Sequence, residues 1–234
     1  MLVRGFPAAA FATNCYVVAA TEGAPCVVVD PGIGVEEQLD ALLREHDLEP
    51  VAVLLTHGHL DHTFSVVPVC GARGIPAYIH PDDDALLTDP MKGLSPESAQ
   101  IFGGRLEWTR PDDVALLDPS QPLELAGLRF STDVAPGHTP GSVMFRLPGD
   151  EAGGEAAAPV VFSGDVLFAG SIGRTDLPGG SWEQMQRSLA EVVLPLPDDA
   201  VVLPGHGPST TIGRERASNP YLQDLPTPPP ARGL

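Results

Sequence analysis

Short apolar runs rich in β-branched residues recur along this chain, bounded by glycine, proline and polar turn residues, and a chain so punctuated is constrained to build sheets from short strands. The runs cover 14–20, 26–30, 51–56, 77–80, 128–134, 142–147, 160–168 and 200–203. Helical periodicity lies between some of them. Over 35–46, Val35, Leu39, Leu42, Leu43 and His46 share one face, and over 181–194 a helix is opened by Ser181 as N-cap with Glu183 two places on. Strands followed by hairpin signals and then helices, with the pattern occurring twice, predict sheets covered by helices on their outer faces, an α/β layered sandwich and not a barrel. The Gly- and Ala-rich stretch 150–159 reads as an exposed hairpin loop that carries no chemistry. From Leu225 onward, Pro226, Pro228, Pro229 and Pro230 favour an extended, mobile tail, so residues 1–224 are expected to form one domain and 225–234 a tail. No repeat of solenoid period is present.

With 234 residues and 43% hydrophobic content, the chain can bury the core of one large domain. Its formal charge of −18, from 31 acidic and 13 basic residues, repels phosphate backbones and anionic membranes, so neither nucleic acid nor a membrane is expected as a partner. Cys15, Cys26 and Cys70 are odd in number, widely spaced and set in apolar surroundings. They read as free buried thiols and predict a reduced, cytoplasmic setting. Thr13-Asn14 interrupts the N-terminal apolar stretch, so no signal peptide is expected, and no run approaches the ~20 apolar residues of a membrane span.

Chemistry concentrates in Thr56-His57-Gly58-His59-Leu60-Asp61-His62, directly after the run that ends at 56. Imidazole and carboxylate are ligands that zinc, iron and manganese accept, and the carboxyl end of a strand is where open α/β folds place their sites. Gly58 is expected to let the backbone turn so that His57 and His59 share a centre. Gly137-His138-Thr139-Pro140-Gly141-Ser142 and Pro204-Gly205-His206-Gly207 repeat the pattern of a histidine in a glycine-flanked turn after a strand. Gly164-Asp165 ends another apolar run, where an unpaired carboxylate would be costly to bury and a metal would neutralise it. One such histidine is ordinarily a turn residue; the concentration of them points to a metal site. His46, at a helix end, and His80, before Pro81-Asp82-Asp83-Asp84, lack this context and are not expected to be ligands, and 82–84 reads as a solvated helix start. The segment 97–104, before Trp108, is a candidate loop over the site.

Taken in order, His-x-His-x-Asp-His at 57–62, Gly-His138-Thr-Pro-Gly-Ser, Gly-Asp165 and Gly-His206-Gly resemble the metallo-β-lactamase superfamily, from Asn14-Cys15-Tyr16 and Val29-Asp30-Pro31-Gly32 through to His206. Within it, Asp165 and the following Gly173-Arg174-Thr175-Asp176 resemble the glyoxalase II-like (hydroxyacylglutathione hydrolase-like) branch, and dedicated β-lactamases look less similar. The resemblance implies a four-layer αβ/βα sandwich with two divalent metal ions at one edge, zinc first, with iron or manganese open. One metal takes His57, His59 and His138, the other takes Asp61, His62 and His206, and Asp165 bridges them. Asp30, together with Thr56, supports the ligands from beneath. Glyoxalase II proper binds the glutathione part of its substrate with a C-terminal helical domain, whereas here the residues after His206 run into a proline-rich stretch, so the thiol carrier stays open.

The activity this implies is hydrolysis of a small, anionic thioester by a hydroxide held between two metals, with Asp61 orienting it and Asp165 holding the pair together. Arg174 is a candidate for a substrate carboxylate, or equally a surface ion pair with Asp176. Two other readings stand beside it. Gly-Arg-Thr-Asp also resembles the persulfide dioxygenases, in which a set equivalent to His57, His138 and Asp165 holds a single iron. The third is a non-catalytic metal-binding domain, although a set without cysteine and with spare positions is unlike a structural zinc site. The oligomeric state is not addressed by the sequence.

Overall fold

The computed structural model describes residues 1–102, 108–149, 158–223 and 225. A first sheet lines up β1 (Leu2–Pro7), β2 (Asn14–Ala19), β3 (Pro25–Val29), β4 (Glu49–Leu54), β5 (Ala77–Ile79) and β6 (Val114–Leu116) in sequence order. Its first three strands are antiparallel and β3 to β6 are parallel. Next come β7 (Leu123–Leu125), β8 (Leu128–Val134), β9 (Val143–Leu147) and β10 (Val160–Gly164), which meander antiparallel. A small hairpin of β11 (Leu167–Phe168) and β12 (Ser171–Ile172) interrupts before β13 (Val201–Pro204), which lies parallel beside β10, and β14 (Thr210–Thr211) closes the second sheet in the order β14-β13-β10-β9-β8-β7.

Strand alternation builds the layers. Along β2 and β3, Val17, Ala19, Cys26 and Val28 pack outward with Leu39 and Leu43 of the helix Glu36–Glu45, whereas Val18, Val27 and Val29 face the other sheet. The second sheet mirrors this. Val143, Phe145, Leu147 and Phe162 enter the seam between the sheets, while Met144, Val161 and Val202 meet Met185 and Leu189 of the helical segment that starts at Trp182. Strands buried on both faces read as near-continuous apolar runs, which is why these were visible in the sequence. The result is an α/β sandwich of four layers, as expected.

Differences from the expected elements have local causes. The run 160–168 is not one strand: Gly164 takes a left-handed φ of 48°, the chain leaves the sheet at Asp165, and residues 167–172 form their own hairpin. A Cβ at residue 164 would collide with Thr56, so only glycine fits. Ser181 caps its helix as expected, its hydroxyl accepting from Gln184 N–H at 3.3 Å. That helix ends at Ser188 and continues through Leu189–Val193 as a wider turn, with Leu194 N–H bonded to Leu189 O five residues back. The segment 97–104 begins as a helix, Pro96–Phe102, and not as a loop. β1, β6 and β7 are edge or near-edge strands not foreseen, because they are short or carry Gly5 and Pro7. The loop expected at 150–159 and the tail from 225 fall mostly outside the described residues; Leu225 packs against the second core. All three cysteines are free and buried, and burial pushes the Cys26 and Cys70 thiols up to about 12. Among the described residues no helix is long and apolar enough to cross a membrane.

Phe145 is fully buried in the seam, edge-on to Phe130. Phe145→Ala is expected to lower the unfolding free energy by about 3–5 kcal/mol. Urea denaturation followed by circular dichroism checks this, with the midpoint falling and the slope unchanged.

Candidate metal centre

The site forms where the two sheets bring their strand ends together. His57 and His59 follow β4, Asp61 and His62 lie on the short helix Leu60–Thr63 that His59 opens, His138 follows β8, Asp165 follows β10, and His206 follows β13. All seven expected ligands are thus gathered. Their ligand atoms fall into sets within 4.8 Å of one another: His57, His59 and His138; His57, His62 and Asp165; and Asp61, His62 and His206.

Hydrogen bonds decide how the rings face. Asp30 is buried with a left-handed φ of 49°, a costly conformation for a residue with a side chain. Its Oδ1 accepts Thr56 N–H at 2.8 Å and its Oδ2 accepts the Thr56 hydroxyl at 2.6 Å. With its one proton given to Asp30, Thr56 Oγ1 can only accept from His57 Nδ1, 3.1 Å away. Asp30 Oδ2 also accepts from His62 Nδ1 at 2.9 Å. Both rings therefore turn their Nε2 atoms inward, and those atoms have no hydrogen-bond partner among the described residues. On the other side, His138 Nδ1 at 2.7 Å must donate to the Arg174 carbonyl, which leaves its Nε2 to face His59 Nδ1 at 2.8 Å and Asp165 Oδ2 at 3.4 Å. Asp165 Oδ1 lies 3.4 Å from His62 Nε2 and is likewise unpartnered. His206 Nε2 is 3.2 Å from Asp61 Oδ2 and 3.7 Å from Asp165 Oδ2.

Buried ring nitrogens and a carboxylate oxygen with no partner, converging on common centres, are the arrangement a cation satisfies and an apolar core does not tolerate. The charge state agrees. Burial, reinforced by neighbouring imidazoles, lowers His57 well below its ordinary value and His59 to about 3, so both are neutral donors. Burial opposes ionisation of Asp61 and Asp165, but His62 together with His206 and the other neighbouring imidazoles outweighs it, and both stay below the usual carboxylate range. At His62 burial works against the charged ring, yet Asp165, Asp61 and Asp30 raise it well above the ordinary value; His206, again against burial, is raised by Asp61 and Asp165 together. The residues present fit divalent cations.

Other sequence expectations resolve plainly. Gly58 is not left-handed; it is required because a Cβ there would lie 2.7 Å from Leu86. His46 caps the helix Glu36–Glu45 and bonds Glu22 and Arg4, and His80 accepts Asp82 N–H, so neither joins the site. Arg174 lines the cavity over the ligands, but its guanidinium is forked onto Asp176 at 2.7 and 2.8 Å.

The expectation of a solvated 82–84 is corrected at Asp83. It is fully buried, and its carboxylate accepts Gly58 N–H at 2.8 Å, the Thr139 hydroxyl at 2.7 Å and Gly141 N–H at 2.8 Å. It thereby ties the His57–His59 turn to the His138 turn. Nothing in Asp82-Asp83-Asp84 marks the middle residue, because the distinction arises only when two distant turns close over it. Thr13 was also missed: its buried hydroxyl donates to Asp61 Oδ2 at 3.1 Å, and its backbone bridges to His206.

Five imidazoles and two carboxylates at the joined strand ends of a four-layer sandwich form a divalent-metal site of the metallo-hydrolase kind. The chain belongs to the metallo-β-lactamase superfamily, whose family model matches residues 8–206. It is 46% identical over 226 residues to an uncharacterised protein of Mycobacterium tuberculosis, covering 96% of this chain and 99% of that one. It is 37% identical over 223 residues to the hydroxyacylglutathione hydrolase GloC of Haemophilus influenzae, covering 95% and 98%. Its structure is similar to that of BLEG-1, described as a B3 metallo-β-lactamase, with a TM-score of 0.82 and 38% identity over 95% of this chain and 100% of that one. That β-lactamases should be less similar therefore does not hold for this one.

Two outcomes are expected. Asp83→Asn exchanges acceptor capacity for a donor among three donors, and should destabilise the fold by about 2–3 kcal/mol and weaken cation affinity about 10–100-fold, read by thermal melting and zinc titration. Because His62 and His206 are raised, they hold protons that a cation must displace. Zinc affinity should rise with pH through that range, and calorimetry in two buffers of different ionisation heat should show proton release. An affinity independent of pH would contradict that charge assignment.

Proposed function

We propose that this chain hydrolyses a thioester of the hydroxyacyl-thiol kind, a glyoxalase II-like activity carried by two divalent cations, zinc first. The observation that carries it is the complete ligand set, with Asp165 facing both halves: His57, His59 and His138 would hold one cation, and Asp61, His62 and His206 the other. Similarity to the Haemophilus influenzae hydroxyacylglutathione hydrolase supports the branch. When bound, the cations supply a Lewis acid for the carbonyl and lower the pKa of bound water to about 7.

The chain's own groups orient and exclude. Asp61, held by Thr13 and His206, would orient the attacking water. Asp165 keeps the two ligand sets at a constant separation. Asp30 and Thr56, through the Nδ1 atoms of His57 and His62, keep the Nε2 lone pairs turned inward. The leaving thiolate, whose conjugate acid has a pKa of ~8.5, needs no proton from the protein. We read residues 1–224 as one catalytic unit, and the three free buried thiols support a reducing, cytoplasmic setting for it.

The persulfide dioxygenase reading would use His57, His138 and Asp165 and leave Asp61 and His206 without a task. Thiol release from S-lactoylglutathione by freshly purified protein, before and after chelation and metal restoration, tests the proposal. Rapid, chelator-sensitive release is expected, and Asp165→Ala should cut it by more than about 100-fold, since losing an outer partner alone costs 10–100-fold. No release from this or any other thioester by metal-replete protein would overturn it. Oxygen uptake with a sulfane persulfide, or opening of a β-lactam, would then identify the chemistry.

A further inference from the structure

We infer that the arm of the substrate beyond the reacting carbonyl is apolar and uncharged, an alkyl or aryl chain, and not a peptide carrying free carboxylates. This deepens the thioester reading above and rests on it. The cavity over the ligands, about 490 Å³, starts at His59, Asp61, His138, Asp165 and His206 and continues along Phe11, Ile33, Leu94, Phe168, Ile172 and Leu177. Of these six, only Ile172 belongs to a core cluster; the other five hold apolar surface at the cavity wall without packing into the interior. Phe168 stands edge-on to His206, with ring centroids 6.1 Å apart, so the apolar wall begins at the ligands themselves. A concave, largely apolar lining with few polar groups is the form of a site that binds a small molecule by burial.

Phe11 closes this wall. It is 65% exposed although it lines the cavity, so its ring stands at the rim. It and Ala12 both take left-handed backbone, at φ 61° and 54°, in a loop closed by Ala8 N–H on Thr13 O and fastened to Asp61 through the Thr13 hydroxyl. An aromatic ring held out of the core by a costly backbone, beside a cavity with matching walls, gains its burial only when something apolar lies against it.

Charge points the same way. Among the described residues, Arg174 is the one cationic side chain on the cavity wall other than the imidazoles, and Asp176 neutralises it with two hydrogen bonds. A substrate arm with carboxylates would have to displace Asp176 and approach a chain of net charge −18.

The test uses metal-replete protein and N-acetylcysteamine thioesters of acetyl, butyryl, hexanoyl and octanoyl groups beside S-lactoylglutathione. In parallel, calorimetry measures binding of the unreactive S-butyl and S-octyl thioethers of N-acetylcysteamine. We expect kcat/KM to climb by about fourfold per buried methylene until the cavity is filled. Phe11→Asn, which tolerates the left-handed backbone and leaves the core untouched, should lower octanoyl turnover about tenfold more than acetyl turnover. Hydrolysis that does not vary with chain length, or that favours S-lactoylglutathione over the octanoyl ester, overturns the apolar arm and leaves the thioesterase standing. If no thioester is cleaved, the thioesterase falls and the thioethers decide. Affinity that grows with chain length and drops in Phe11→Asn upholds the apolar arm, and absence of binding overturns it.

Discussion

One buried carboxylate sets the orientation of the candidate centre. Asp30 sits at the end of β3 in a backbone conformation that a residue with a side chain adopts at a cost, and it accepts three hydrogen bonds: from the Thr56 amide, the Thr56 hydroxyl and His62. Each bond has a consequence one step further in. The hydroxyl that donates to Asp30 can only accept from His57, so one carboxylate fixes the tautomer of two neighbouring histidines, whose ring centroids lie 4.1 Å apart. Burying an acidic group without such partners would be prohibitive; with them, the carboxylate becomes the fixed point from which imidazole nitrogens are aimed.

Asp83 plays the matching part for the loops. Where Asp30 turns rings, Asp83 holds backbones, drawing the amides of Gly58 and Gly141 onto one side chain. The two ligand turns it joins come from different sheets, so its bonds also fix how the halves of the sandwich meet. Sheet pairing accounts for the layers, and these two carboxylates, both fully or almost fully buried, account for the accuracy of the centre inside them.

Legibility in the sequence followed from how local each signal is. The strands 14–19 and 143–147 were readable because burial on both faces writes a continuous apolar run, and the helix at 36–45 because its stripe repeats within itself. The ligands were readable because glycine-flanked histidines after strands are rare in combination. Residues whose role depends on a distant partner left no trace. Asp83 looks like either of its neighbours until residues 58 and 139–141 arrive, and Thr13 looks like a turn residue until Asp61 and His206 flank it. Strand β1 was hidden by Gly5 and Pro7, which an edge strand tolerates and a central one does not. The break at Asp165 was hidden because the apolar composition resumes at Val166 and Leu167 immediately after Gly164.

The clasp between the start of β2 and the turn carrying His206 bears on how the molecule assembles. Asn14 bonds Pro204 and Gly207 through its side chain and Gly205 through its amide, and Tyr16 reaches Pro204 as well, across a sequence separation of 190 residues for the first of these contacts. Contacts this distant form late, because the entropy of closing the intervening chain is lost before they can reward it. A chain emerging at about 5–20 residues per second presents the strands of its first sheet before residue 206 exists, so His206 is the last of the ligands to become available. Completion of the centre thus coincides with closure of the whole fold. A cation that binds the complete set, and not the open chain, would stabilise the closed fold by mass action, and by more as its concentration rises.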